Sequence, residues 1–272
     1  MLKIYVDKNS EAKHASPTYN YSLLINNDEI HFEYMLQPIF TVDRFKQPMT
    51  KYLECLSLIS KNIDGFDKRI KSIETLFDGL DSDTIKEIAK SQQKFINEIS
   101  KDILGLTVSI NIKLSCLLDD DFVDYMICNL YVPLALEVTV IDTDIHNKKL
   151  QLNIHLLQRF GVNIWLDDYI GSSVNQKTTL GVINWDIIKI DKEYLHYNSF
   201  DIKTTQELVN VLSKYANSGL IFEGVESEQM DRHLRFANNG SVQIYGQGYF
   251  YAHPMNLIDI KFAFNQHYND YC

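Results

Sequence analysis

The sequence predicts a single α/β domain whose strands close into a (β/α) barrel. Three observations predict it. From residue 100 onward, short β-rich runs alternate with stretches of helical periodicity. Two further strand candidates upstream bring the total to eight, the number a closed barrel requires. Nearly every candidate strand ends on an acid, an amide or a lysine, as expected where strand ends converge on one functional face.

The β-rich runs in the C-terminal part are Leu106–Lys113, Leu134–Ile141, Asn163–Tyr169, Ile187–Asp191, Leu220–Glu226 and Ser241–Phe250. Between them, apolar residues recur at three- and four-residue spacing in Asp120–Leu130, Asn147–Phe160, Ile202–Tyr215 and Glu228–Ala237, which reads as helix. The helix after Asp201 has a polar start, and Asn217–Gly219 is read as its stop. Strand and helix alternating at about 25–35 residues per unit imply a parallel sheet with crossover helices. Upstream, His31–Phe40 and Tyr52–Ile59 supply the two further strands, Thr84–Ser100 reads as helix, and Asn62–Asp83 fits neither pattern. The 5 prolines and 11 glycines form no linker tract, so the expected organisation is an arm or hairpin over 1–29, a barrel over 30–265 and a tail over 266–272.

Composition narrows the function. With 45% hydrophobic and 23% charged residues, the 272-residue chain has ample material for one large core. A formal charge of −10 disfavours a nucleic-acid polymer or an anionic membrane as partner. No secretory leader is visible at the N-terminus, and no apolar run approaches the roughly 18 residues of a membrane span. The four cysteines show no metal-binding spacing and read as free thiols. The expected location is the cytoplasm.

The strand ends carry Glu54, Asn111, Glu137, Asp167 with Asp168, Lys189 with Asp191, Glu223 with Glu226, and Gln247. Any one carboxylate at a strand end is more often a helix cap or a surface group than a ligand. A ring of them on one rim cannot stay ionised without cations. Oxygen donors without a His/Cys set suit Mg²⁺ or Mn²⁺ rather than zinc. Two such ions about 3.5–4 Å apart are the usual apparatus for cleaving a phosphodiester. Lys189 and Asp191 alternate with Ile188 and Ile190, so as strand residues they share a face.

These residues fall into an ordered series: Gln37-Pro38-Ile39, Glu54-Cys55-Leu56, Ser109-Ile110-Asn111, Leu136-Glu137-Val138-Thr139, Leu166-Asp167-Asp168-Tyr169, Ile188-Lys189-Ile190-Asp191, Glu223-Gly224-Val225-Glu226 and Gln247-Gly248-Tyr249, with Pro254 trailing. The series resembles that of the bacterial EAL domain family over roughly residues 30–260. The resemblance implies a modified TIM-like barrel that hydrolyses cyclic di-GMP to pGpG with two Mg²⁺ or Mn²⁺ ions. It implies Glu54, Asn111, Glu137 and Asp167 as ligands of the first metal. Asp167 would bridge to a second ion that Asp168 and Glu223 help to hold. Lys189, with Asp191 and Glu226, would form the catalytic group around the attacking water, and Gln37 and Gln247 would contact substrate. A homodimer and a regulatory protein partner are further expectations.

The chain departs from the family pattern at defined places. Leu58 stands where the family usually has a phosphate-gripping arginine, and Val140 where it has a second glutamate that fixes the loop after the Asp pair. That loop reads LDDYIGSSVN, with Ile170 at an expected glycine. Two alternative readings follow: a weak or inactive scaffold that binds cyclic di-GMP or a protein without hydrolysis, and a metal-dependent phosphodiesterase of another specificity.

Overall fold

A computed structural model describes residues 5–6, 20–25, 28–63, 66–69, 77, 79–103, 105–141, 143–197 and 201–260. The predicted tail over 266–272, most of the 1–29 arm and much of the unassigned 62–83 stretch lie outside the described residues.

Strands β1 (Tyr5–Val6), β2 (Asn20–Ile25), β3 (Asp28–Thr41), β4 (Thr50–Ile63) and β5 (Phe66–Arg69) come first. Then follow α1 (Ser82–Glu98), β6 (Thr107–Lys113), α2 (Asp120–Cys128), β7 (Leu134–Thr139), α3 (Lys148–Arg159), β8 (Asn163–Tyr169) and α4 (Val174–Thr179). The described chain continues through β9 (Trp185–Ile190), α5 (Lys192–Tyr197), α6 (Ile202–Leu212), β10 (Ala216–Phe222), α7 (Glu228–Ala237) and β11 (Ile244–Gly246). The helices start where short polar side chains satisfy free backbone N–H groups: Asp81 for α1, Asp119 for α2, Asn147 for α3, Asp201 for α6 and Ser227 for α7.

Eight strands close into a barrel in the order β3-β11-β10-β9-β8-β7-β6-β4, and β4 returns to pair with β3. From β4 to β11 every barrel neighbour is parallel, whereas β3 runs antiparallel to both of its neighbours. The sheet is therefore mixed rather than parallel throughout. The cause is the short connection between β3 and β4, residues 42–49. Returning to a parallel neighbour takes a crossover of about a dozen residues or more, so a shorter link makes a hairpin.

β3 and β4 outrun the barrel. β4 pairs with β6 only over Tyr52–Glu54, while β3 and β4 stay paired as far as Ile30 and Lys61. The overrun leaves at the C-terminal mouth and carries β2 and β5 on its outer edges. α1 anchors it: Tyr34 Oη lies 2.5 Å from Ser91 Oγ, and Gln92 Nε2 donates to Cys55 O at 3.0 Å.

The helices cover the barrel through a continuous apolar core. A second, separate cluster of Ile39, Tyr52, Ala135, Trp165, Ile187, Ile221 and Tyr245 fills the interior. Its aromatic members interlock edge-on, Tyr52 with Trp165 at 5.0 Å and with Tyr245 at 4.9 Å between ring centroids. Among the described residues no helix is long and apolar enough to cross a membrane.

Two sequence expectations are corrected here. Gly219 does not stop a helix: α6 ends at Leu212 and Gly219 lies within β10. A Cβ there would come within 2.5 Å of Tyr245 Cε2 and 2.7 Å of Gln243 O, so the glycine admits the neighbouring strand. The expected long strand over 241–250 shortens to Ile244–Gly246. Beyond it the chain turns, with Ala252 N donating to Gly248 O at 3.1 Å, because Gly248 lies hard against the Val225 backbone.

Candidate active site

Side chains on a strand alternate between faces, so two residues beyond each member of the interior cluster the chain again points into the barrel, one layer nearer the mouth. This step leads from Tyr52 to Glu54, Ala135 to Glu137, Trp165 to Asp167, Ile187 to Lys189, Ile221 to Glu223 and Tyr245 to Gln247. On antiparallel β3 it runs backwards, from Ile39 to Gln37, which stands opposite Glu54. An apolar floor thus lies beneath a polar layer in a water-poor barrel.

Lys189 is the hub of that layer and is only 1% exposed. Its Nζ donates to Glu137 Oε2 and lies 2.8 Å from Glu223 Oε1, 3.1 Å from Asp167 Oδ1 and 3.6 Å from Glu54 Oε2. Glu54 also accepts from Asn111 Nδ2 at 2.9 Å and Gln247 Nε2 at 2.5 Å. Gln247 Nε2 is 3.1 Å from Gln37 Oε1, and Gln37 in turn donates to Ala252 O at 3.1 Å. Beneath the hub, the fully buried Ser109 donates its hydroxyl to Glu137 Oε1.

Strict alternation would send Asp167 and Asp168 to opposite faces. Asp168 has φ 51°, the one non-glycine residue in the left-handed region among the described residues, and the β8–β9 register shifts between Leu166 and Tyr169. As a result, oxygens of Asp167, Asp168 and Glu223 all lie within 4.8 Å of one another. Such a backbone conformation costs of order 1–3 kcal/mol, less for Asp than for most residues, so the surroundings must hold it.

Five carboxylates share one ammonium. Burial, followed by the charge of Glu54, pushes the Glu137 carboxyl well above the usual range. The charge of Asp167, then burial, lifts Asp168 to about 7. Glu223 rises to about 8, chiefly through burial, with Asp167 and Asp168 adding to it against the pull of Lys189. Glu54 goes the other way: burial opposes its ionisation, but Lys189 and the Gln247 and Asn111 donors outweigh it. The carboxylates hold Lys189 charged in spite of its burial. Gln247 Oε1 is buried without a hydrogen-bond donor, and Asp167 Oδ1 has only the shared Lys189 ammonium near it. Excess negative charge, an orphaned carboxamide oxygen and a purely oxygen and amide donor set fit a hard divalent cation.

Of the residues singled out in the sequence, Gln37, Glu54, Asn111, Glu137, Asp167, Asp168, Lys189, Glu223 and Gln247 converge on this mouth. Asp191 stands just beyond the end of β9, where its carboxylate accepts from Glu193 N at 2.6 Å at the start of α5, and its charge reaches Asp168. Glu226 is exposed on the segment before α7. Leu58 is half-buried on β4 opposite Glu33, Val140 is buried, and Ile170 is exposed. Sequence reasoning assigned no role to Ser109, although its position two residues before Asn111 on β6 was a signal that it faces the interior. It also missed Gln176, whose signal is only tertiary.

The EAL domain family profile matches residues 21–254. The Escherichia coli K12 protein named probable cyclic di-GMP phosphodiesterase PdeI is 35% identical over 126 residues, 45% of this chain but 15% of that protein, so the chain spans a small part of that relative. An EAL domain protein from Listeria monocytogenes EGD-e superposes with a TM-score of 0.63 at 22% identity, covering 85% of this chain and 92% of that one. The FimX EAL domain of Xanthomonas citri, solved in complex with c-diGMP, gives a TM-score of 0.64 at 15% identity, covering 83% and 89%. A profile match across most of the chain, over a mixed barrel with this carboxylate mouth, shows that the chain belongs to the EAL domain family.

Proposed function

We propose that this chain is a metal-dependent phosphodiesterase that hydrolyses cyclic di-GMP to pGpG. The observation that carries the reading is the mouth itself, where four carboxylates lie within 4 Å of a single buried lysine, Asp168 joins Asp167 and Glu223, and the carboxamides of Asn111, Gln247 and Gln37 adjoin Glu54. In this reading Glu54, Asn111, Glu137 and Asp167 would hold one Mg²⁺ or Mn²⁺, and Asp167, Asp168 and Glu223 a second. Divalent cations bound there supply Lewis-acid polarisation of the phosphodiester and an acidified water. The chain's own residues do the rest. Lys189, kept protonated by its carboxylates, holds the attacking water in place through a charged hydrogen bond. Gln247 and Gln37, already linked to each other, line the wall that meets the nucleotide. The aromatic floor of Tyr52, Trp165 and Tyr245 closes the barrel beneath the reaction and keeps bulk water out.

The test is incubation of the purified protein with cyclic di-GMP and Mn²⁺, with products followed by chromatography beside a Glu54→Ala control. The expected outcome is pGpG from the unaltered protein alone, with the variant reduced by at least about 10²-fold, as for loss of a group that organises transition-state charge. Tight nucleotide binding without turnover would instead support the scaffold reading that Leu58 suggests, since an apolar side chain there grips no phosphate.

A further inference from the structure

Asp168 reaches the carboxylate cluster only by adopting a backbone conformation that a strand does not offer, and one side chain clamps the backbone where it leaves Asp168. Gln176 of α4 is buried. Its Nε2 donates to Asp168 O at 2.7 Å, and its Oε1 accepts from Ile170 N at 3.2 Å. The two ends of a single carboxamide therefore grip the peptide units on either side of Tyr169, immediately after the residue with φ 51°. The clamp has a firm base. Ser173 Oγ accepts from Gln176 N at 3.3 Å, Gln176 O accepts from Thr179 Oγ1 at 2.7 Å, and the buried Trp185 indole donates to that hydroxyl at 3.2 Å. The chain of contacts runs from the first turn of α4 down to β9, which carries Lys189.

We infer that Gln176 is a positioning residue for the metal site: it holds the left-handed turn that turns the Asp168 carboxylate towards Asp167 and Glu223. This deepens the proposed function and rests on it. A carboxamide suits the task because the bracketed backbone presents one acceptor and one donor, and its N–H and C=O offer both complements on one rigid group. Without it, Asp168 O and Ile170 N lose their partner, and the turn relaxes towards ordinary extended backbone, which swings Asp168 to the opposite face. Val140 lines the neighbouring surface with an apolar side chain that can supply neither bond.

The experiment is a double-mutant cycle read as the Mn²⁺ dissociation constant, measured by electron paramagnetic resonance on the metal alone, with thermal midpoints recorded in parallel. Gln176→Ala is expected to weaken Mn²⁺ binding about 10–100-fold, the usual effect of losing a partner that orients a ligand. Gln176→Met, which keeps the length and adds no charge but can neither donate to Asp168 O nor accept from Ile170 N, is expected to do the same and serves if the alanine variant folds poorly. In an Asp168→Asn background the same substitutions are expected to change Mn²⁺ affinity less than about threefold, because the carboxylate they position is gone. Unchanged affinity in both Gln176 variants, or equal losses with and without the Asp168 carboxylate, overturns the inference while leaving the proposed function standing. A wild-type protein that binds no Mn²⁺ overturns both.

Discussion

Glu137 shows how much of this site depends on single hydrogen bonds. It is fully buried, Ser109 donates to one of its oxygens and Lys189 to the other, and the charge of Glu54 opposes its ionisation. Ser109→Ala leaves a buried carboxylate oxygen without its donor. Such an orphan costs about 1–3 kcal/mol, so the denaturant midpoint is expected to fall by a corresponding amount. Ser109→Thr, which restores the hydroxyl, is expected to recover most of that loss. Equal midpoints for wild type and alanine variant would mean that the oxygen has found another donor. At this scale the sequence was informative wherever alternation holds: Glu54, Glu137, Lys189 and Glu223 each sit two residues past a floor residue and so face the interior. It was silent where alternation fails. Nothing local to Asp168 announces φ 51°, because the residue that sustains it, Gln176, comes from the next helix.

Among the elements, the helices are set by caps and by a few contacts between neighbours. Asp119 serves α2 twice: its carboxylate accepts from Phe122 N at 3.2 Å, and it pairs with Lys86 of α1, which also lies 2.7 Å from Asp83. The Lys86 hydrogen bond, with the Phe122 amide helping, holds the Asp119 carboxyl below its usual range. A lowered carboxyl contributes stability above its unfolded value of about 3.9, and that contribution is lost as pH falls through its folded value. Asp119→Ala is therefore expected to cost about 1 kcal/mol at neutral pH, the worth of a helix cap, since the partly exposed ion pair adds little. The difference should shrink below about pH 4, and urea melts at pH 7 and pH 3 check both halves. A loss that persisted undiminished at pH 3 would assign it to packing. Element order and type were readable because helical periodicity and caps are local. Strand direction was read as parallel, which holds from β4 to β11 but fails at β3, where the short link over 42–49 makes β3 and β4 a hairpin. The role of Gly219, which the ring of Tyr245 defines from another strand, was not read.

For the molecule as a whole, the crowded carboxylate mouth makes stability depend on pH. Asp168 and Glu223 bind protons up to about 7 and about 8, and Glu137 is raised as well. In the unfolded chain carboxylates ionise near about 4. A raised carboxyl costs nothing while both states hold the proton, and the folded state loses stability as pH rises from the unfolded to the folded value. Lys189 adds stability throughout this range, and Glu54, lowered in the fold, opposes the trend. Within the mouth three raised carboxyls outnumber one lowered. Carboxyls lowered elsewhere, such as Asp119, are ionised in both states above about pH 5 and add no slope there. The thermal midpoint in a chelator is thus expected to fall between pH 5 and pH 8, and saturating Mn²⁺ to raise it most at pH 8, by mass action on the folded state. A midpoint at pH 8 indifferent to Mn²⁺ would argue against a metal site. The sequence by itself determined the barrel class, its eight strands, most of the helices and the set of polar residues at the mouth, because periodicity, caps and strand-end chemistry are written within a few residues of where they act. Only the tertiary structure decided that Asp168 joins Asp167 on one face, and that Ser109 and Gln176 brace Glu137 and the backbone beside Asp168. Each of those depends on a partner in another element, and the pairing is fixed only when the elements pack.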